Sequence, residues 1–167
     1  MAAEQNPFAK IPAGLNTTAA AASFIQTITY AAIPSDAVRI GTRCLLDGLG
    51  LFVAGAEEHS VEIIADEAEH TGGRPDALLL RRGSTKVPAP AAARVLGTAG
   101  HAHDWDDSQV SLDPAHVFGL FTHPTIPPLT SALVLAQKLG GIDGKTFILA
   151  FLTGFEVESK ISEWMLP

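Results

Sequence analysis

The sequence has little cysteine and little positive charge. Its only cysteine, Cys44, excludes an internal disulfide framework and a cage of thiolate metal ligands, and it suits a reducing compartment. The 11 Lys and Arg residues face 18 Asp and Glu residues, for a net charge of −7. Because the binding of nucleic-acid phosphates needs clustered positive charge, this balance argues against a nucleic-acid partner.

Long apolar runs and targeting signals are also missing. No stretch approaches the roughly 18 uninterrupted apolar residues that a membrane span needs, so we expect no membrane partner. Glu4 and Pro7 stand where a secretory signal has a basic end and an apolar run, and the first arginine is Arg39. We therefore expect a cytoplasmic protein. The hydrophobic fraction is 47%, and the charged fraction of 17% is well below the typical quarter, so the composition excludes global intrinsic disorder.

The abundant alanine, divided by glycine and proline, predicts a mainly all-α fold. Residues 1–16 are expected to form a flexible N-terminus, and residues 17–167 a single helical domain. The apolar run 77–80 is compatible with one short strand. The predicted helices run from Thr17 or Thr18 to Pro34, from Ser35 as the N-cap to near Gly55, over the acidic stretch 57–69, from Pro88 towards His103, from Pro124 to Gly140, and from Asp143 as the N-cap to Trp164.

Two of these helices raise questions of function. The six acidic residues of the stretch 57–69 form either a cation-binding face or a solvated helix face, and the second interpretation is favoured. The last helix carries Phe147, Phe151, Phe155 and Trp164, and no later segment is available to cover them. We therefore expect self-association, as a homodimer or through exposed apolar helices.

Ionisable side chains concentrate in the stretch 101–108, which reads His-Ala-His-Asp-Trp-Asp-Asp-Ser, with His123 fifteen residues beyond it. One interpretation is a polar helix end with exposed histidines. The other is a pocket in which an aspartate orients a histidine that moves protons near neutral pH. The stretch lacks the residues that a hydrolytic His-x-His metal motif or a calcium loop requires, so a metal-dependent hydrolase is the least favoured reading. Cys44 lies in an apolar helical stripe and is interpreted as core.

Four segments in the same order resemble the MmgE/PrpD family. Residues 96–108 resemble its His-Ala signature followed by Asp, an aromatic residue, Asp-Asp and Thr. His123-Pro124-Thr125 is similar to its His-Pro segment. Residues 154–157 and 46–50 match its Gly-Tyr-Glu-Val and Leu-Asp-x-Leu-Gly stretches.

This resemblance implies a helical-bundle domain of the family's N-terminal type and chemistry next to a carboxylate. The family contains 2-methylcitrate dehydratases, cis-aconitate decarboxylases and an iminodisuccinate epimerase, which act on small di- or tricarboxylic acids without a redox cofactor. By resemblance, His123 and Asp104 would be catalytic, and Ser108, in the family's Thr position, and His101 would bind substrate. No metal or other cofactor is implied, and homodimers are common.

The resemblance covers only the N-terminal portion of the family's length. The lysines, second histidine and tyrosine that members contribute from later segments have no counterpart in this sequence. We therefore expect the chain to be inactive by itself. The alternative to a lyase is a truncated, inactive fragment or a helical assembly module that needs a partner.

Overall fold

In a computed structural model of the protein, residues 16–109 and 122–164 are described, with side chains as far as residue 162. These residues form helices and one small antiparallel sheet, which confirms the mainly all-α prediction. The expected flexible segment lies outside the described residues, apart from Asn16. The elements are α1 (Thr17–Thr27), a 3-10 turn (Tyr30–Ala32), α2 (Ser35–Gly55), α3 (His59–Thr71), β1 (Ala77–Leu78), β2 (Lys86–Val87), α4 (Ala89–His101), α5 (Ile126–Lys138) and α6 (Gly144–Trp164).

The first helix is shorter than its predicted extent. Asn16 caps it, since its Oδ1 accepts a hydrogen bond from the N–H of Ala19 at 3.3 Å. The helix ends at Thr27 because Ile28 takes up extended backbone, and only the 3-10 turn follows before Pro34. Residues 27–29 are all β-branched, which lowers helix propensity and favours this early end.

The predicted caps of α2 and α6 have different outcomes. Ser35 is the first residue inside α2 rather than its N-cap, and Pro34 occupies the cap position. Asp143 does cap α6: its Oδ1 accepts the N–H groups of Lys145 and Thr146 at 2.9 and 3.1 Å. The hydroxyl of Thr146 and these N–H groups lower the pKa of the Asp143 carboxyl.

The short strand predicted near residues 77–80 exists, and it has a partner. Ala77 pairs with Val87 and Leu78 with Lys86 in antiparallel register. Asp76, just before β1, binds Arg74 Nε at 2.8 Å and Lys138 Nζ at 3.3 Å. Asp76 Oδ2 also accepts the N–H of Ala89 at 3.2 Å, so the strand pair is held to the start of α4 and the end of α5.

Helix α4 is central, because it contacts α2, α3, α5 and both strands. Its buried positions are mostly small, and they include Ala92, Ala99 and Gly100. Small side chains let neighbouring helices approach closely. At Gly55, the last residue of α2, a Cβ would overlap the carbonyl oxygen of Ala99. This close crossing fixes where α4 ends, and the candidate site begins there.

The acids of α3 form a solvated face, as the favoured interpretation held. They are exposed and pair with arginines from the neighbouring segment and α4: Asp66 with Arg82 at 2.6 Å, and Glu67 with Arg94.

The prediction that the aromatic residues of the last helix lack cover is wrong for the described part of α6. Phe151 is fully buried, and Phe147 and Phe155 are partly buried against the core. Helices α5 and α2 supply the cover. The side chain of Trp164 lies outside the described residues, and self-association stays a prediction. Among the described helices, none is both long enough and apolar enough to cross a membrane.

Candidate functional site

The site lies where the C-terminal end of α4 meets the segment leading into α5. Residues 102–109 turn away from α4, and Gln109 forms an isolated antiparallel bridge with Thr122. The N–H of Gln109 donates to the carbonyl oxygen of Thr122 at 2.9 Å. Asp104 has a φ of 55°, the left-handed conformation that aspartate tolerates in turns. The chain thereby brings residues 104–107 against His123.

A second contact fastens the same two segments together. Asp107 Oδ1 accepts the backbone N–H of Thr125 at 3.1 Å, and its Oδ2 accepts the hydroxyl of Thr125 at 2.6 Å. Thr125 is buried and is the N-cap of α5, so the carboxylate also meets the positive end of the helix dipole. We call this contact the Asp107–Thr125 clamp.

Two imidazole rings share one buried carboxyl group. Asp106, whose side chain is fully buried, lies 2.9 Å from His101 Nδ1 through Oδ1 and 3.3 Å from His123 Nδ1 through Oδ2. The two rings meet edge to face at a centroid distance of 4.7 Å. His123 Nε2 lies 3.9 Å from Asp104 Oδ1. We call these four residues the His–Asp cluster.

The predicted site residues thus differ in placement. His123, His101 and Asp104 come together, with Asp104 at the rim, where its side chain is 80% exposed. Ser108 is exposed at the end of the turn, and no hydrogen bond joins it to the cluster among the described residues. Its predicted role in binding substrate is untested.

His103 points away from the cluster. Its Nε2 lies 3.4 Å from the carbonyl oxygen of Ala54 and 3.6 Å from Glu58 Oε1, and its ring stacks on Trp105 at 4.3 Å. His103 therefore ties the turn to the end of α2. His116 lies outside the described residues.

Among the described residues, three buried polar atoms at this site make no hydrogen bond: Gln109 Oε1, Thr122 Oγ1 and His123 Nδ1. His123 Nδ1 makes no hydrogen bond to Asp106, although it lies 3.3 Å from Oδ2 of that carboxyl group. A buried polar atom without a partner costs stability.

Sequence reasoning missed the parts played by Asp106 and Asp107. The residues were noticed as part of an acidic run, but nothing in the run distinguishes one aspartate from another. No sequence signal separates the three acids, because Asp104 is exposed, Asp106 is buried and Asp107 is half-buried in a turn without a regular period.

Two further groups near the site have shifted pKa values. Burial, and secondarily the charge of Asp107, raise the pKa of the Glu158 carboxyl on α6, while the charge of His123 lowers it. Burial also raises the pKa of the Cys44 thiol, against a hydrogen bond with Thr125 that lowers it. A thiol held in its protonated form is a poor nucleophile, which agrees with the interpretation of Cys44 as core.

The cluster also offers the ligand types that a transition metal uses. One nitrogen or oxygen atom from each of its four residues lies within 4.8 Å of the others. Zinc bonds of about 2.0 Å place neighbouring tetrahedral ligands about 3.3 Å apart. His101 Nδ1 and Asp106 Oδ1 are closer, at 2.9 Å, which is the length of a direct hydrogen bond. The geometry therefore fits proton chemistry better than metal coordination.

With the geometry established, comparison with known proteins identifies the family. The model of the MmgE/PrpD N-terminal domain matches residues 19–167, nearly the whole chain. The chain belongs to the MmgE/PrpD family. Among curated proteins, none matches it significantly. The MmgE/PrpD match includes both α4 with its acidic turn and the His123 segment, so the His–Asp cluster lies within the matched domain.

Proposed function

We propose that this domain carries the proton-transfer half of a lyase site for a small di- or tricarboxylic acid, as in a dehydratase or decarboxylase. The observation that carries the proposal is the His–Asp cluster itself, in which a fully buried carboxyl group lies against two imidazoles. Imidazole is the side chain that exchanges protons near neutral pH, and removal of a proton next to a carboxylate requires such a base.

His123 is the proposed acid or base. Its Nδ1 is buried and faces Asp106, so the exposed 30% of the side chain belongs to the rest of the ring, which includes Nε2. When Nδ1 carries its proton towards Asp106, the lone pair is on Nε2. That nitrogen lies at the rim beside Asp104, where a substrate carbon could approach.

Asp106 positions both rings. A carboxylate only accepts hydrogen bonds, so its contact with His101 requires Nδ1–H as the donor and leaves Nε2 of that ring, whose side chain is 53% exposed, free to bind substrate. The same carboxylate stabilises the imidazolium that forms when His123 takes a proton. Asp104, at the rim, orients the substrate or the ring of His123.

The second candidate is a helical assembly module that does no chemistry alone. The specific observation is an exposed apolar stripe on α2, made by Leu46, Leu49 and Val53, which are 73%, 43% and 72% exposed. These residues recur at helical spacing on one face. Homodimer formation through this face, and a cytoplasmic location, belong to the proposal.

The test of the lyase function measures proton exchange as well as turnover. The full chain is incubated with 2-methylcitrate or cis-aconitate in D2O, and NMR follows exchange at the carbon next to the carboxylate, formation of product and shifts of the histidine ring signals. We expect His123→Ala to slow exchange by roughly 10²–10⁴-fold, the usual contribution of general acid–base catalysis. His70→Ala, at an exposed histidine of α3, is the matched control and should behave as wild type.

Exchange that survives His123→Ala would contradict the proposal. So would a wild-type chain in which neither acid undergoes exchange nor perturbs the His123 ring. Loss of activity on treatment with a chelator, with recovery on adding Zn²⁺, would instead support the metal-dependent alternative. Activity that is indifferent to chelation supports proton transfer by the side chains themselves.

A further inference from the structure

An open cavity of about 780 Å³ lies between α1 and α6 and reaches the candidate site. Thr122, the residue before His123, forms part of its lining. The walls are largely apolar, with Ile25 of α1 and Ile28, the residue after its end, opposite α6. Glu158 is the one titratable residue among the described residues that line it.

Glu158 stands on α6, four residues after Gly154, so both face the cavity from adjacent turns. The charges of Asp107 and His123 both act on its carboxyl group. Because Glu158 and Thr122 line the same cavity, Glu158 lies on the face of α6 that is turned towards the His123 segment. No element of the proposed function uses it.

We propose that Glu158 is the second proton carrier of this site, the acid that protonates a leaving hydroxyl while His123 removes the C–H proton. The inference rests on the proposed function. Elimination of water needs one base and one acid held close together, and the His–Asp cluster supplies only the base.

The environments of the two groups favour this division of roles. Burial makes the charged form of Glu158 costly and raises the pKa of its carboxyl, so the group keeps its proton more readily than an exposed glutamate does. His123, by contrast, lies with its Nδ1 3.3 Å from the buried carboxyl group of Asp106. Neighbouring titratable groups in such contrasting environments are the usual arrangement of an acid and a base.

The step balances as follows. His123 Nε2 takes the proton from the carbon next to the carboxylate, and the electron pair of that bond is first delocalised into this carboxylate. The pair then forms the carbon–carbon double bond. The carbon–oxygen bond of the neighbouring hydroxyl breaks, and the oxygen takes the proton of Glu158 and leaves as water. Imidazolium and carboxylate remain, and each returns to its starting form by exchange with solvent.

The first experiment titrates the Glu158 carboxyl by carbon-13 NMR in the full chain. We expect a pKa above that of an exposed glutamate in the wild type, a further rise in His123→Ala because a positive charge is lost, and a fall in Asp107→Asn because a negative charge is lost. Glu156→Gln, two residues away on the same helix and exposed, is the matched control and should leave the titration unchanged. A Glu158 that titrates as an exposed glutamate and ignores His123→Ala overturns the proposal.

The second experiment separates the two proton transfers, with 2-methylcitrate as the probe. In Glu158→Gln we expect C–H exchange at the wild-type rate but elimination of water slowed by roughly 10²–10⁴-fold. Elimination as fast as in the wild type would refute the role of Glu158 and leave the proposed function intact. A wild-type chain in which 2-methylcitrate neither undergoes exchange nor shifts the ring signals of His123 would refute the proposed function, and the acid role of Glu158 with it.

Discussion

Removing the Asp107–Thr125 clamp should destabilise the domain and separate the two halves of the site. Asp107→Ala deletes two hydrogen bonds to a charged acceptor, one from the N–H of Thr125 at 3.1 Å and one from its hydroxyl at 2.6 Å. Hydrogen bonds to charged groups contribute about 1.5–3 kcal/mol each. Thr125 is 2% exposed, so its two donors would be left buried without partners unless water enters. Because Asp107 is only half-buried and water can partly replace it, we expect a loss of about 2–4 kcal/mol.

Two matched substitutions separate the contributions of the two hydrogen bonds to this loss of stability. Asp107→Asn keeps one oxygen for the N–H of Thr125 and supplies an amide that can donate to its hydroxyl, so we expect a loss of about 1 kcal/mol. Thr125→Val removes only the hydroxyl. The double-mutant cycle of Asp107→Ala with Thr125→Val then isolates the carboxylate–hydroxyl contact, which we expect to couple the pair by about 0.5–3 kcal/mol.

Urea unfolding followed by circular dichroism measures these values. With a slope of about 2 kcal/mol per molar, Asp107→Ala should lower the unfolding midpoint by about 1–2 M. The exchange reaction should fall in parallel, because His123 lies two residues before Thr125 and depends on the same anchor. An Asp107→Ala protein within about 0.5 kcal/mol of the wild type, the range of ordinary surface substitutions, would refute this account of the clamp.

Two other predictions concern the surface of the domain. The pKa of Asp76 is lowered, mainly by Arg74 and then by the N–H of Ala89 and by Lys138. The ionised carboxylate therefore stabilises the folded domain fully above the unfolded pKa of about 3.9, and this stabilisation is lost as the pH falls through the folded pKa. Asp76→Asn should therefore be less stable than the wild type at neutral pH, and urea unfolding should show the difference vanishing in acid; a difference independent of pH would contradict the ion pairing. Sedimentation velocity should show concentration-dependent association of the wild type that Leu46→Glu abolishes and Leu135→Glu, at an exposed leucine of α5, does not. A wild-type monomer at high concentration would exclude the α2 stripe as an interface.

The fold was largely predictable because its signals are local. Alanine content, the prolines before α4 and α5, and the glycines after α3 and α5 locate most helices from the sequence. The early end of α1 was missed because Pro34 was taken as the stop, whereas the β-branched residues 27–29 end the helix first. The strand Lys86–Val87 was missed because a two-residue strand has no period of its own and is specified by its partner.

The site was predictable only in part, for a different physical reason. The density of ionisable groups and the family resemblance selected the right two stretches of chain. These two signals could not show which of the three aspartates in residues 104–107 is buried, because that depends on the backbone conformation of the turn. With Asp104 in the left-handed region, its side chain points to solvent and that of Asp106 points inward.

The three aspartates of the turn share the same side chain, and their different burial gives them different roles. Asp104 is 80% exposed beside the free nitrogen of His123, Asp106 is fully buried between the imidazoles, and Asp107 binds the start of α5. Removing the charge of Asp106 would remove the acceptor for His101 and the charge that faces Nδ1 of His123, while the clamp still holds the segments together. Removing Asp107 would break the clamp and leave Asp106 in place between the rings. Because the two contacts sit on adjacent residues yet act on different groups, loss of ring orientation and loss of anchoring can be told apart by pairing exchange rates with unfolding midpoints.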